Sequence, residues 1–293
     1  MKWRGRRQSE NVDDRRRQGG SSRIPTSGKI GIPAILAILA AVLLGGNLGG
    51  AGGLDDILGQ LNGVQPQQAP AQDPALDDAP DPDADLAAFM GVVLASTEDL
   101  WANIFGNADR QYRPAPLVMF SGSTQSACGG ANSRVGPHYC PPDQTIYIDL
   151  DFFRDLSSQF QAPGDFAQAY VVAHEVGHHV QNLLGISDEV RQLQQSRPDD
   201  ANELSVRLEL QADCFAGIWA YGEFTQDFLE PGDIEEALGA ASAVGDDRIQ
   251  EKSTGMINPE TWTHGSSAQR VEWFRAGFDS GDPNVCDTFG NDF

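Results

Sequence analysis

Residues 30–54 carry no charged side chain, and the run Ile30-Gly-Ile-Pro-Ala-Ile-Leu-Ala-Ile-Leu-Ala-Ala-Val-Leu-Leu44 is almost wholly aliphatic. A helix with no polar face cannot sit at the surface of a water-soluble domain. About 20 helical residues cross the hydrocarbon layer of a bilayer, so residues 30–54 are expected to form one transmembrane helix. Residues 1–29 ahead of it hold nine Lys/Arg and three Asp/Glu. The positive-inside rule then predicts a basic cytoplasmic arm over 1–29, with the bulk of the chain outside a bacterial cell membrane. A cleaved signal peptide is the alternative. It fits less well, because the apolar region is long for one and Gly-rich sequence follows where an Ala-x-Ala site would stand.

Beyond the apolar stretch the composition turns to Pro, Gln, Ala and Asp, as in Gln65-Pro-Gln-Gln-Ala-Pro70. There is little here to bury, so residues 55–85 are expected to be a disordered linker. The remaining residues, 86–293, are enough for one domain. The formal net charge is −22, with the excess of acid confined to the part after residue 29. Such a surface repels a phosphate backbone and argues against nucleic acid as a partner. Apolar residues at helical spacing from Leu86 to Ile104 predict a long opening helix. Two β-like runs, 117–120 and 145–150, flank a Gly/Ser/Cys-rich loop. Helical patterns then cover 151–160, 164–184, 201–222, 232–246 and 266–278. A few strands followed by many helices read as α+β, mostly helical with a small sheet.

The segment that carries chemistry is Ala169-Tyr-Val-Val-Ala-His174-Glu175-Val-Gly-His178-His179. Residues four apart on a helix share a face, so His174 and His178 can bind one metal ion. Glu175 is placed to reach a water on that ion without ligating it. This is the His-Glu-x-x-His arrangement of zinc peptidases. His179 points about 100° away from His178 and reads as packing or as support for a ligand. A catalytic zinc takes three protein ligands and keeps one position for water. The best candidate for the third is Glu209, in Leu208-Glu209-Leu-Gln-Ala-Asp213. Glu209 and Asp213 lie within an apolar run, where two carboxylates on one helix face are unfavourable unless a cation is near. Asp213 would accept the outer N–H of a ligand histidine. An ordinary acidic surface helix is the bland alternative.

His264, in Trp262-Thr-His264-Gly-Ser-Ser, stands before a helix and could donate to an oxyanion, or could simply be an exposed loop residue. Arg270 could support His264, pair with a core carboxylate or be solvated. The four cysteines contain no Cys-x-x-Cys pair, which argues against a thiolate zinc site. Their even number in an oxidising compartment predicts two disulfides. Of the three possible pairings the favoured one is Cys128–Cys140, closing a turn-rich loop, with Cys214–Cys286, tying the C-terminal tail to a core helix. A free, buried Cys214 is the alternative.

At this point the chain resembles the YpfJ-like family of bacterial neutral zinc metallopeptidases. The likeness is carried by the start Met1-Lys-Trp-Arg-Gly-Arg-Arg-Gln, the single apolar segment, His174-Glu-Val-Gly-His-His-Val-Gln-Asn and Glu209-Leu-Gln-Ala-Asp-Cys. The Glu-x-x-Ala-Asp and His-Gly-Ser-Ser…Arg elements also resemble gluzincins, including membrane CAAX-type endopeptidases. The resemblance implies a zincin-like fold with Glu209 as third ligand. The expected function is a single-pass, membrane-anchored, extracytoplasmic zinc endopeptidase acting on a protein or peptide. Its site would comprise His174, His178 and Glu209 on zinc, Glu175 as base, His264 as oxyanion donor, and Asp213 and Arg270 behind them. The alternative is a zinc-binding pseudo-peptidase that serves as an envelope interaction module; retention of Glu175 speaks against it. The run 144–149 could be an edge strand for an extended substrate or an ordinary core strand.

Overall fold

The computed structural model of the chain describes residues 1–16, 80–132 and 136–290. The expected transmembrane helix 30–54 and all but the end of the linker 55–85 lie outside these residues. Among the described residues no helix is long and apolar enough to cross a membrane.

The fold is mostly helical with a small sheet. Strands β1 (Val12–Asp14), β2 (Leu117–Phe120), β5 (His138–Cys140) and β6 (Thr145–Asp149) form one sheet in the order β1-β2-β6-β5. β1 and β6 each run parallel to β2, and β5 runs antiparallel to β6. Both expected strands are present, and each is buried at every residue, as strands covered on two faces should be. The run 144–149 is not an edge: β6 is hydrogen-bonded on both sides, and the sheet ends at β1 and β5. The Gly/Ser/Cys-rich loop contains a hairpin, β3 (Ser123–Ser126) and β4 (Gly129–Asn132). The Cys128–Cys140 disulfide ties the hairpin turn to β5.

The helices are α1 (Ala84–Asn107), α2 (Asp151–Ser158), α3 (Asp165–Leu184), α4 (Ile186–Ser196), α5 (Ala201–Thr225), α6 (Asp233–Ala243), α7 (Asp246–Thr254) and α8 (Ser267–Ser280). The helix expected over 232–246 is present as α6, three residues shorter at its end, and a further helix that the pattern did not mark, α7, follows it. At the break, a Cβ on Gly245 would lie 2.4 Å from the Ser267 backbone nitrogen, so the chain must part from α6 to pass α8. α3 and α5 run through the core, where Phe166 stacks on Trp219 at 5.3 Å and Trp101 meets Phe215 edge-on at 5.2 Å. The second disulfide, Cys214–Cys286, pins the tail to α5.

Residues 1–16, expected to stand apart as a basic arm, belong instead to the same compact unit as the catalytic-motif helices. Arg6 makes a two-pronged pair with Glu223, at 2.5 and 3.0 Å, and lies over the Phe228 ring. Arg7 pairs with Glu98 and Asp99. Ser9 and Asn11 also donate to Glu98. The Met1 ammonium is held by Asp165, Glu230 and Asp233. Arg4, Arg6 and Arg7 are thus partners for acids more than 80 residues away, and β1 extends the sheet.

Candidate metal centre

The two helices that carry the candidate ligands approach closely at one point. A Cβ on Gly177, inside the His174–His178 turn, would lie 3.0 Å from both Cα and the carbonyl oxygen of Ala212. A glycine there lets α5 press its Glu209–Asp213 turn against α3. A second close crossing brings α8 in: a Cβ on Gly277 would meet the Cys214 carbonyl at 2.0 Å. That contact delivers Arg270 to the same place.

Three candidate ligands converge. His174 Nε2 lies 3.2 Å from Glu209 Oε2, and His178 Nε2 lies 3.4 Å from Glu209 Oε1. One ligand atom from each falls within 4.8 Å of the others. The imidazoles stand nearly perpendicular, with centroids 4.8 Å apart. The side chains of His178 and Glu209 remain 20% and 18% exposed while that of His174 is 8% exposed, so the centre opens toward solvent on one side. Glu175 is buried and near enough for its charge to act on His178.

Behind the ligands lies a buried polar cluster. His174 Nδ1 donates to Asp213 Oδ1 at 2.9 Å. Arg270 donates to both Asp213 oxygens, from Nε at 2.8 Å and Nη2 at 3.0 Å. Tyr170 donates its hydroxyl proton to Asp213 and accepts from Arg270 Nη2 at 3.2 Å. Of the three readings open for Arg270, the pairing with a core carboxylate is the one observed. Burial raises the cost of ionising Asp213, but Arg270 and His174 outweigh it and hold its pKa below the usual range. Burial likewise opposes the charged forms at the ligands, yet the facing groups prevail. The Asp213 and Glu209 carboxylates push His174 up to about 9, and His178 and His174 hold Glu209 well below the carboxylate range. Carboxylates that retain protons on two imidazoles in this way would compensate a divalent cation in their place. The donor set of two neutral nitrogens and one carboxylate, with no fourth protein ligand among the described residues, suits a catalytic zinc.

His264 sits on the exposed loop before α8. Asp246 accepts the backbone N–H groups of Thr263, His264 and Gly265 on one oxygen and faces His264 Nδ1 at 3.3 Å with the other. Burial lowers the His264 pKa, but the Asp246 hydrogen bond and the Glu209 charge outweigh this and raise it. No motif singled out Asp246; as the first residue of α7 it looks like a routine helix-terminal acid. His179 faces away from the centre. Its Nε2 donates to the Arg113 carbonyl at 2.6 Å and its Nδ1 accepts from Tyr139 at 3.1 Å, so it packs α3 against β5. The other acidic trio, Asp165, Asp233 and Glu236, is engaged by the Met1 ammonium and the Phe166 N–H. A cavity of about 630 Å³ lined by Trp101, Phe105, Gln211 and Phe215 lies on the opposite face of α5 from Glu209 and Asp213 and includes no ligand.

The family described as "Putative neutral zinc metallopeptidase" matches residues 1–289. The chain belongs to this family. It is 48% identical to the uncharacterized protein YpfJ of Escherichia coli strain K12 over 99% of each chain. It is also 50% identical, over 66% of its own length and 67% of the other's, to an uncharacterized protein of Mycobacterium bovis. No solved structure matches the chain significantly. The family name implies zinc, in keeping with the donor set.

Proposed function

We propose that the chain is a zinc-dependent endopeptidase with a zincin-like catalytic unit, working outside the bacterial cytoplasm in association with the membrane. The observation that carries this reading is the convergence of three ligand atoms within 4.8 Å, with a buried carboxylate, Glu175, one residue from the first ligand. The two disulfides support an oxidising compartment. Residues 1–16 would share that compartment, being docked on the catalytic unit.

His174, His178 and Glu209 would hold the zinc, which lowers the pKa of a water and polarises the scissile carbonyl. Glu175 takes the proton of that water and passes it to the leaving amine. Asp213 fixes His174 with its proton on Nδ1, leaving Nε2 for the metal, and Arg270 keeps Asp213 ionised. Asp246 turns His264 so that Nδ1 donates to it. In its protonated form the imidazole could donate its Nε2–H to the carbonyl oxygen as that oxygen becomes negative. The substrate is expected to be an unfolded or extended stretch of protein.

The test pairs metal content with cleavage of an unfolded protein. Parent protein should carry zinc and cleave in a chelator-sensitive manner. Glu175→Gln should keep the zinc and lose hydrolysis, since only the base is gone. A parent that binds zinc and cleaves nothing, across a panel of unfolded substrates, would favour a binding module instead.

A further inference from the structure

His178 has a partner that no motif announces. Its Nδ1 lies 2.9 Å from Gln181 Oε1, one turn along α3. Gln181 Nε2 donates to the Leu208 carbonyl at 2.7 Å and to Gln211 Oε1 at 3.1 Å. Gln211 Nε2 donates to the Cys286 carbonyl at 2.9 Å. Both glutamines are buried, Gln181 completely.

The polarity of this chain of contacts follows from what each group can do. A backbone carbonyl accepts and cannot donate. Leu208 and Cys286 therefore each require an amide NH2 facing them. Gln211 must then present its oxygen to Gln181, and Gln181 must present its oxygen to His178. An oxygen facing His178 Nδ1 calls for a proton on that nitrogen. A neutral imidazole carries a single N–H, so Nε2, the nitrogen facing Glu209, is left with its lone pair.

We propose that Gln181 and Gln211 are positioning residues that form a polarised relay, holding His178 in the tautomer that binds metal through Nε2 and anchoring it on the backbone at Cys286. This rests on the zinc reading of the site. The two ligand histidines are then oriented by different means: His174 by a carboxylate that is itself paired with Arg270, His178 by a neutral amide. The neutral partner suits its place, because a further carboxylate would add a third acid to a pocket that already holds Glu209 and Glu175. The anchor is itself constrained, since Cys286 is bonded to Cys214, one turn along α5 from Gln211.

The test measures the zinc dissociation constant of the full chain by competition with a chromophoric chelator, alongside the thermal midpoint of the metal-free protein. Gln181→Leu should weaken zinc binding about 10–100-fold, as loss of a ligand's hydrogen-bond partner does. Gln211→Leu should weaken it less, because Gln181 keeps the Leu208 carbonyl. The double variant should bind no more weakly than Gln181→Leu, since Gln211 acts only through Gln181. Gln181→Glu, which still accepts from Nδ1–H but leaves the Leu208 carbonyl without its donor, should bind zinc more tightly than Gln181→Leu while melting below the parent. Packing defects alone would lower the thermal midpoint of each variant and leave this order of affinities absent. Parent-like zinc affinity in Gln181→Leu, or losses that multiply in the double variant, would overturn the relay. A parent that takes up no zinc would be a different result, overturning the metallopeptidase reading and the relay with it.

Discussion

Removal of Arg270 should be felt first in the stability of the fold. Its side chain is 4% exposed, and the Asp213 carboxylate it pairs with is fully buried. Arg270→Met keeps most of the volume and removes the cation, leaving Asp213 with His174 and Tyr170 alone. Breaking a buried pair from one side costs about 3–5 kcal/mol, because the stranded charge keeps its desolvation penalty. For a folded unit of this size that lowers Tm by roughly 6–20 °C. Arg270→Met with Asp213→Asn strands no charge, and the amide can still accept from His174. The double variant should therefore be more stable than Arg270→Met alone. Guanidinium unfolding with the disulfides intact, followed by tryptophan fluorescence, gives the four stabilities of the parent, the two single variants and the double variant. The reasoning fails if Arg270→Met stays within about 1 kcal/mol of the parent, or if the two losses simply add.

Other perturbations reach the rest of the site. His264→Ala should lower kcat and kcat/KM together by about 10²–10³-fold with zinc content unchanged, as for a donor that acts in the transition state; zinc loss would make His264 a ligand. Because the His264 pKa is raised in the folded state, its pairing with Asp246 should stabilise the fold fully below the ordinary value of about 6.5 and lose that contribution as pH rises past the folded pKa. The stability difference between parent and His264→Ala should shrink accordingly; a gap that widens with pH would refute it. Arg6→Ala should destabilise the fold, since it strands the buried Glu223, while leaving zinc affinity unchanged; an unchanged unfolding midpoint would mean that residues 1–16 are not docked in solution. Mass mapping without reduction should find no alkylatable thiol; four of them would remove the argument for an oxidising compartment.

The ligand helices were legible because their signal is local. Two histidines four apart and two carboxylates four apart in apolar sequence have few uses, and the structure brings the two turns together. The strands 117–120 and 145–149 were legible for the same reason, as short apolar runs bounded by turn residues. What escaped depends on distance along the chain. β1 is the sequence Val-Asp-Asp, with no alternation to mark it as a strand. Arg6 and Glu223 are 217 residues apart, and an arginine in a basic arm carries no sign of its partner. Whether β6 lay inside the sheet or at its edge depended on β5, three residues long. Gln181 and Gln211 were invisible because glutamine in a helix is ordinary until a carbonyl dictates which way its amide faces.

The docking of residues 1–16 has a mechanical consequence. The chain leaves the folded unit after Arg16 and rejoins it near Pro82, so residues 30–54 belong to a handle fastened at both ends, not to a stalk fastened at one. A cut between residues 17 and 79 would therefore leave residues 1–16 held to the unit by the pairing of β1 with β2 and by the ion pairs of Met1, Arg6 and Arg7, with no covalent link.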